Sequence, residues 1–537
     1  MKRDVAALSG RSYDVLVVGG GIYGLTVCAD LAQRGLSVAL IDRADFGSGS
    51  SFNHLRTIHG GLRYLQMFDL VRARESVRER RTLARIAPYA VQPLPFVLPL
   101  YRSLARGKLA MQAGFLLDRI VAGDRNQRVP SALHLPAGRV LSRAAAIARF
   151  PSLSRQGLTG AAVWHDYTTP ESDRLTAAWM EAAVQHGAVL ANYVEATAPI
   201  QEGRRIVGVR ARDLRSDATV EIGARLTINA AGAGVDLLPS QAGGSSGIRM
   251  LKAMNLVTRR QAGAAAIGAR SATGRHLFLL PWRRRALFGT WESAGPSSQP
   301  GVSEADVSSF IDELNVAFPS LDLTIDEVTL VHRGLVPAIL NNGAVTLEGR
   351  HQIVDHAERP EALEGLLTVA GTKYTTARAI AERVADRALE KLRMPSVPCR
   401  TADTPLPGGE MIDLASALAE ARRKYGALLP SDALPHLLAA YGSWYEDVLA
   451  LADGRSDLRT PIGDEAPVIG AELVWAVRCE MAVTLSDAVV RRTPLGALGY
   501  PGDQAAERAA DVVGAELGWT AERRRTEIEA LRRFYRW

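Results

Sequence analysis

The chain has little cysteine and almost no lysine, and it has no long apolar run. Three cysteines in 537 residues, Cys28, Cys399 and Cys479, stand far apart with neither metal nor redox spacing. They exclude a disulfide framework and fit a reducing compartment. No apolar stretch approaches the length of a membrane span. The opening Met1-Lys2-Arg3-Asp4 has no apolar h-region, so no secretory signal peptide is expected and the location is read as cytoplasmic. Of 64 basic residues only six are lysines, which leaves 58 arginines. That skew reflects codon composition and weakens any argument from arginine clusters. The net charge of +7 alone permits nucleic-acid binding, but no nucleic-acid motif is present and no such partner is expected. No metal-ligand spacing is found. A length of 537 residues at 47% hydrophobic content implies two to four folded domains with ample core.

What is present starts near the N-terminus. The apolar run Tyr13–Val18 enters Gly19-Gly20-Gly21-Ile22-Tyr23-Gly24, a helical stretch follows to Gly35, and a second apolar run, Val38–Ile41, stops at Asp42. Strand, Gly-x-Gly-x-x-Gly, helix, strand and acid form the dinucleotide-binding βαβ unit. Gly19 permits the tight turn, Gly21 admits a pyrophosphate to the backbone N–H groups, and Gly24 lets helix and strand pack closely. The helix N-terminus adds partial positive charge. Asp42, eighteen residues after Gly24, is placed to accept ribose hydroxyls.

Downstream, residues 69–87 read as a charged helix with six arginines and two glutamates on a solvated face. A helix over 104–121, with Leu109, Phe115, Leu116 and Ile120 and the bases Arg102, Arg106 and Lys108, suits either a membrane surface or a core-facing amphipathic role. Trp164, His165 and Asp166 sit at a strand end and read as surface or packing residues. Residues 248–360 read as short strands interrupted by a helix at about 303–316. A second glycine turn, Asn229–Gly234, and a third strand-turn-helix, Leu366 onward through Gly371-Thr372-Lys373-Tyr374-Thr375-Thr376, recur far from the first. One cofactor domain assembled from separated segments, with a substrate domain inserted, points to FAD rather than NAD. A Pro-rich linker, 397–409, leads into a strongly helical C-terminal region.

These stretches carry a family resemblance. DVLVVGGGIYGLTVCADLAQRGLSVALID, IHGGLRYLQ, NAAGAGV, PW followed by FGTWE, AGTKYTTARAIAERV, PLPGG and the helical tail with VRCEMAVTLSDAVVRRTPLG together resemble the FAD-dependent glycerol-3-phosphate dehydrogenases of the D-amino-acid oxidase superfamily, from about residue 13 to 500. The resemblance implies an α/β fold: a FAD-binding Rossmann-like domain, an inserted antiparallel-sheet substrate domain and a C-terminal α-helical cap domain. The oxidoreductase core is placed at 12–400, with FAD-binding segments at about 12–90, 150–240 and 360–395 and the substrate domain at about 91–149 and 245–359. The helical domain takes 401–537.

The implied activity is oxidation of sn-glycerol 3-phosphate at C2 to dihydroxyacetone phosphate in glycerol metabolism. Hydride goes to flavin N5 and electrons pass to quinone or oxygen. The implied cofactor contacts are Gly19, Gly21, Ile22, Tyr23, Gly24, Asp42, Arg43, Ser50, Ser51, His59, Gly60, Gly61, Ala231, Gly232, Gly371, Thr372, Lys373, Tyr374 and Thr375. The implied substrate-side residues are Arg63, Tyr64, Arg350, Lys373, Asn255 and His59, with His59 open between a catalytic role and packing on the flavin. A phosphate dianion calls for cations. The resemblance also allows peripheral contact with the inner face of the cell membrane.

Two departures fall on substrate positions. The family usually has Gly-Val-Arg-Pro where this chain has Gly334-Leu335-Val336-Pro337, and Arg333 lies at an odd strand offset, on the opposite face. It often has Ser-His-Ile-Val where this chain has Met254-Asn255-Leu256-Val257, and Asn255 is no general base. Oxidation of another hydroxyl or an amine in a specialised pathway therefore stands as the alternative function. A binding protein that retains FAD without turnover is the third reading.

Overall fold

The structure is a computed structural model and describes residues 1–537 except 2, 102–106, 152, 272–273, 300, 342–343 and 412. The first βαβ unit forms as its pattern dictates. Strand β1 (Ser12–Val18) is almost wholly buried, helix α1 (Ile22–Gln33) follows the glycine turn, and β2 (Val38–Ile41) is buried throughout. A near-continuous apolar strand is what a parallel sheet covered on both faces requires. β1 pairs in parallel with β2 and with Thr219–Asn229, which pairs in parallel with Leu366–Ala370. Val189–Ala191 extends β2, and Gln352–Asp355 adds an antiparallel edge. Helix α1 packs against helices Ser172–Gln185 and Ala377–Leu392.

Four distant chain segments thus build one sheet, and its register decides where the site lies. Val18 stands beside Ile41 and Asn229, and Asn229 beside Thr368. The turns after all three central strands, and Asp42, therefore open at the same carboxyl edge, the usual binding edge of such sheets.

The second sheet runs Ala344–Leu347, Val328–Asn341, Arg249–Gln261, Arg285–Pro296, His276–Trp282, Ala266–Arg270, Gln92–Leu100, Gly160–Thr168 and Thr57–Ile58. Its pairs are antiparallel except for Gln92–Leu100 with Ala266–Arg270. Three expected segment assignments are corrected by these pairings. Gly160–Thr168 and Thr57–Ile58 belong to this sheet rather than the cofactor sheet, because Gly160–Thr168 pairs along its whole length with Gln92–Leu100. Gln352–Asp355 belongs to the cofactor sheet through Leu366–Ala370.

Helix α2 (Leu62–Gln66) leads into α3 (Leu70–Ile86), which starts where Asp69 accepts the Arg72 N–H at 3.0 Å. The expected solvated face of α3 is corrected as well. Glu79 is buried and accepts Arg378 Nε and Nη2 with its two oxygens, at 2.6 and 2.7 Å, and Arg80 is buried against Asp166. Helix α4 (Lys108–Val121) buries Met111 and Phe115 but leaves Leu109, Leu116 and Ile120 exposed. Arg102 and Arg106, read with this helix, lie outside the described residues.

The C-terminal helices pack Val489, Val513 and Leu531 with Phe96, Leu280 and Trp282 of the second sheet. They also lock onto the cofactor domain, where buried Asp45 holds Arg491 at 2.7 Å and Arg492 through both oxygens. Burial alone would raise the Asp45 carboxyl, but Arg492 and Arg491 hold it down at about 2. Among the described residues no helix is long and apolar enough to cross a membrane.

Candidate active site

At the first turn, backbone crowding makes glycine obligatory. Gly19 has φ +106°, and a Cβ there would lie 2.5 Å from the Ala230 carbonyl oxygen. A Cβ on Gly24 would lie 1.8 Å from the Gly19 oxygen. Strand, turn and helix are therefore in backbone contact. Gly21 caps α1 without any side-chain bond, and the Ile22 N–H donates to Ser51 Oγ at 2.9 Å. Asp42 accepts the Gly20 N–H at 2.6 Å and the Ala44 N–H at 2.7 Å. Burial raises its carboxyl to about 6 against the pull of those two donors. Each carboxylate oxygen keeps a lone pair for a ribose hydroxyl. Arg43 and Ser50 lie exposed at the rim. Gly232, with φ +54°, and Ala231, whose N–H reaches Asn229 Oδ1 at 3.4 Å, complete the second turn. A helix N-terminus whose cap residue, Gly21, has no side chain, a glycine cradle and an acid at the strand end are the donor and acceptor set that a dinucleotide such as FAD needs.

Tyr23 ties this end to the third turn. Its hydroxyl donates to the Lys373 carbonyl at 3.0 Å and fills the space under Gly371, where a Cβ would come within 2.2 Å of it. Tyr374 stacks on His54 at 4.6 Å, and its hydroxyl bonds Thr176 and the Ser172 carbonyl. Thr375 Oγ1 accepts the His59 N–H at 3.1 Å, which joins the third turn to the His59-Gly60-Gly61 loop.

That loop is held from below by Asp166. Its Oδ1 accepts the Gly60 N–H at 2.6 Å and pairs with buried Arg80, and its Oδ2 accepts Trp164 Nε1 at 3.1 Å. A Cβ on Gly60 would lie 2.0 Å from Arg80 Nη1, so the guanidinium under the loop demands glycine. The half-exposed His59 ring places Nδ1 3.9 Å from Asp166 Oδ2. Burial would raise Asp166, yet Arg80 and His59 hold it below the usual carboxylate range. The packing role read for Asp166 from its strand-end position is thus corrected: it anchors the site loop.

Beyond the loop, Tyr64 lies between two cations, Lys373 Nζ at 3.9 Å from its ring centroid and Arg72 Cζ at 4.7 Å. Asp69 accepts Arg72 Nε at 2.5 Å and stands 4.0 Å from Arg350 Nη2. Burial, then Arg72, push Lys373 down to about 8. A cleft of about 420 Å³ opens here, lined by Lys373, Arg350, Arg72, Thr372, Glu75 and Arg383 among others. Thr372 Oγ1 donates to the Glu348 carbonyl at 3.1 Å and so fixes the turn that carries Arg350.

The structure therefore brings Lys373, Arg350 and Thr372 to one cleft, with Tyr64 against Lys373 and Arg63 exposed on α2. Asn255 lies apart. It is buried, with Nδ2 on the Asn53 carbonyl at 3.1 Å and Oδ1 accepting Thr290 at 3.0 Å, so its amide braces the first loop against the second sheet. Arg333 donates to the Arg536 carbonyl at 3.3 Å and leaves the site, as its strand offset requires. In the sequence Asp69, Arg72 and Glu75 read only as part of a solvated charged helix, and Asp166 only as a surface or packing residue. Asp69 was findable as a helix N-cap three residues before Arg72. Among the described residues no cluster could hold a metal ion.

The chain matches two family models: FAD dependent oxidoreductase over residues 14–387, and the C-terminal domain of alpha-glycerophosphate oxidase over 399–524. It is 32% identical to a glycerol-3-phosphate dehydrogenase of Synechocystis sp., across 98% of this chain and 97% of that one. It is 32% identical to a glycerol-3-phosphate dehydrogenase of Mycobacterium leprae, across 95% and 86%. Among solved structures, the glycerol-3-phosphate dehydrogenase from Bacillus halodurans complexed with FAD superposes with a TM-score of 0.77 at 26% identity, over 99% of this chain and 96% of that one.

Proposed function

From the premise that this chain belongs to the FAD-dependent oxidoreductase family, as a member of its glycerol-3-phosphate dehydrogenases, we propose that it oxidises sn-glycerol 3-phosphate at C2 to dihydroxyacetone phosphate. The observation that carries the substrate is the cation cluster in which Lys373 and Arg72 lie on Tyr64 and Arg350 approaches Asp69, beside the carboxyl edge of the cofactor sheet. Bound FAD supplies the two-electron acceptor.

The chain's own residues do the rest. The guanidinium groups bind and orient the phosphate, and a fixed phosphate holds C2 in one place for oxidation. Lys373, charged below about pH 8, stabilises negative charge that develops as the hydroxyl loses its proton. In this reading His59, on the loop that Asp166 anchors, takes that proton. The N-terminus of helix Ala377–Leu392, just after Thr376, lends partial positive charge to the same cleft.

One observation favours the alternative of a different hydroxyl or amine substrate. Position 336, on strand Val328–Asn341, is valine and offers no cation. Anaerobic exposure of the oxidised holoenzyme to sn-glycerol 3-phosphate and to a panel of alcohols and amines separates the two. Bleaching by the phosphate ester supports the proposal, and bleaching only by a phosphate-free compound replaces it.

The electrons pass on to a quinone at a membrane surface in this reading. Its support is an apolar exposed patch. Phe68 and Val71, at the turn between α2 and α3, are 83% and 80% exposed, and Leu109 and Ile120 on the neighbouring α4 are 81% and 75% exposed. Such a face lies in a lipid headgroup boundary without spanning it. Sedimentation with anionic vesicles should carry the protein down and should fail after Leu109→Glu with Ile120→Glu. Sedimentation unchanged by that pair would remove the membrane contact.

A further inference from the structure

If glycerol 3-phosphate is the substrate, the family's phosphate-binding arginine on the substrate strand is missing, since position 336 is valine. We propose that Arg72, at the start of α3, supplies the phosphate contact that position 336 lacks. The inference rests on the substrate reading above and assigns a residue that neither the family pattern nor the strand would suggest.

Three observations carry it. First, the geometry converges. Leu335 packs with Val235 and Met250, so its neighbour Val336 lies on the opposite face of the strand. The next residue, Pro337, accepts the Glu348 N–H at 2.9 Å and ties the strand to the turn 348–350. Arg72 reaches that same turn from the other side, since a Cβ on Gly349 would stand 3.4 Å from its Nη1. The valine and the arginine border one turn.

Second, the Arg72 guanidinium is held but not used up. Asp69 fixes its Nε edge at 2.5 Å, and its face lies on the Tyr64 ring. Among the described residues no protein acceptor is recorded for Nη1 or Nη2, and the residue lines the cleft. A guanidinium clamped at one edge and on one face presents its remaining fork at low entropic cost, the arrangement suited to bidentate phosphate recognition.

Third, the charge of the cleft fits a dianion. Its lining has Arg72, Arg350, Lys373 and Arg383 against Asp69 and Glu75. His351 is held toward its neutral form by burial and by Arg383. Four cations against two carboxylates leave two positive charges near neutral pH. Arg383 is occupied by Glu75 and His351. The positive excess therefore falls on Arg72, Arg350 and Lys373, the three groups gathered at Tyr64 and Asp69.

The test compares wild-type holoenzyme with Arg72→Gln and Arg72→Lys. It measures KM and kcat for sn-glycerol 3-phosphate, kcat/KM for glycerol, and inhibition by inorganic phosphate. Loss of one charge-assisted contact should raise KM for the phosphate ester about tenfold to a hundredfold. Inhibition by inorganic phosphate should weaken in proportion, and kcat/KM for glycerol should fall far less than kcat/KM for the phosphate ester. Arg72→Lys, which keeps the charge without the fork, should fall between. A second readout is independent of affinity. Arg72 is the leading charge acting on Lys373, so Arg72→Gln should move the alkaline limb of kcat/KM to higher pH. Wild-type KM and wild-type phosphate inhibition in a flavin-loaded Arg72→Gln would overturn the inference. If Arg72→Gln loses its flavin, the same comparison is read from Arg72→Lys. A wild-type enzyme that glycerol 3-phosphate fails to reduce would reject the substrate reading, a different result from an Arg72 variant with unchanged kinetics.

Discussion

Lys373 offers the sharpest test of the chemistry, because the structure gives both a size and a sign. Its ammonium lies 3.9 Å from the Tyr64 ring centroid and lines the cleft with Arg72 and Arg350. Burial first, and Arg72 second, lower it from the ordinary lysine range to about 8. A lysine held there carries its charge below pH 8 and loses it above. About nine-tenths is charged at pH 7 and about one-tenth at pH 9. If the charge stabilises the developing alkoxide, kcat/KM for glycerol 3-phosphate falls about tenfold per pH unit above pH 8. Lys373→Met should keep bound flavin, lose that limb, and slow anaerobic flavin reduction by about 2–4 kcal/mol of barrier, the usual cost of losing one preorganised charge-stabilising group. Stopped-flow reduction at pH 6–10 in both proteins measures all of this. A wild-type profile that rises through pH 8 would make the neutral amine the working form. A reduction rate unchanged in Lys373→Met would remove the residue from the chemistry.

Three further outcomes follow from other parts of the molecule. Gly21→Val should yield protein that fails to retain FAD, since the cradle leaves a Cβ only 3.1 Å from Ser51 Oγ and closes the pyrophosphate approach; absorbance of the purified variant near 450 nm, on the order of a flavin band, reads it. Asp45→Asn should cost about 3–5 kcal/mol in denaturant melts, because it removes the buried carboxylate that Arg491 and Arg492 share and leaves them only Asp487 and the more distant Glu480. The wild-type contribution of Asp45 is complete above its unfolded value near pH 4 and fades as pH falls toward about 2. Val336→Arg should lower KM for glycerol 3-phosphate, and it should reduce turnover of any phosphate-free substrate, where a half-buried guanidinium would find no partner; kcat/KM for both compounds gives the sign.

How far the sequence foretold this structure depends on the range of the interactions involved. The β1–α1–β2 unit, Asp42 and the turns at Asn229–Gly234 and Gly371–Thr376 were legible because local pattern decides them. Their convergence followed from the parallel register of β1, Thr219–Asn229 and Leu366–Ala370. Membership of Gly160–Thr168 was hidden, since a buried apolar strand reads alike in either sheet and only its partner Gln92–Leu100 assigns it. Asp166 looked like a stray acid because its partners, Gly60 and Arg80, come from 106 and 86 residues away. On α3 the arginine excess masked three different fates: Arg72 at the cleft, Arg80 under the glycine loop and Arg74 on Asp124. Periodicity marked α4 as amphipathic, but burial of Met111 and Phe115 beside exposed Leu109, Leu116 and Ile120 is a tertiary outcome.

The central claim is that this flavoprotein's own substrate site takes sn-glycerol 3-phosphate. Anaerobic titration of the oxidised holoenzyme with that compound, followed by the flavin absorbance, tests it most directly. The account predicts that glycerol 3-phosphate bleaches the flavin fully and that glycerol does so far more weakly, in line with the cations at Tyr64. A flavin left oxidised by glycerol 3-phosphate, but bleached by a phosphate-free alcohol or an amine, would contradict it.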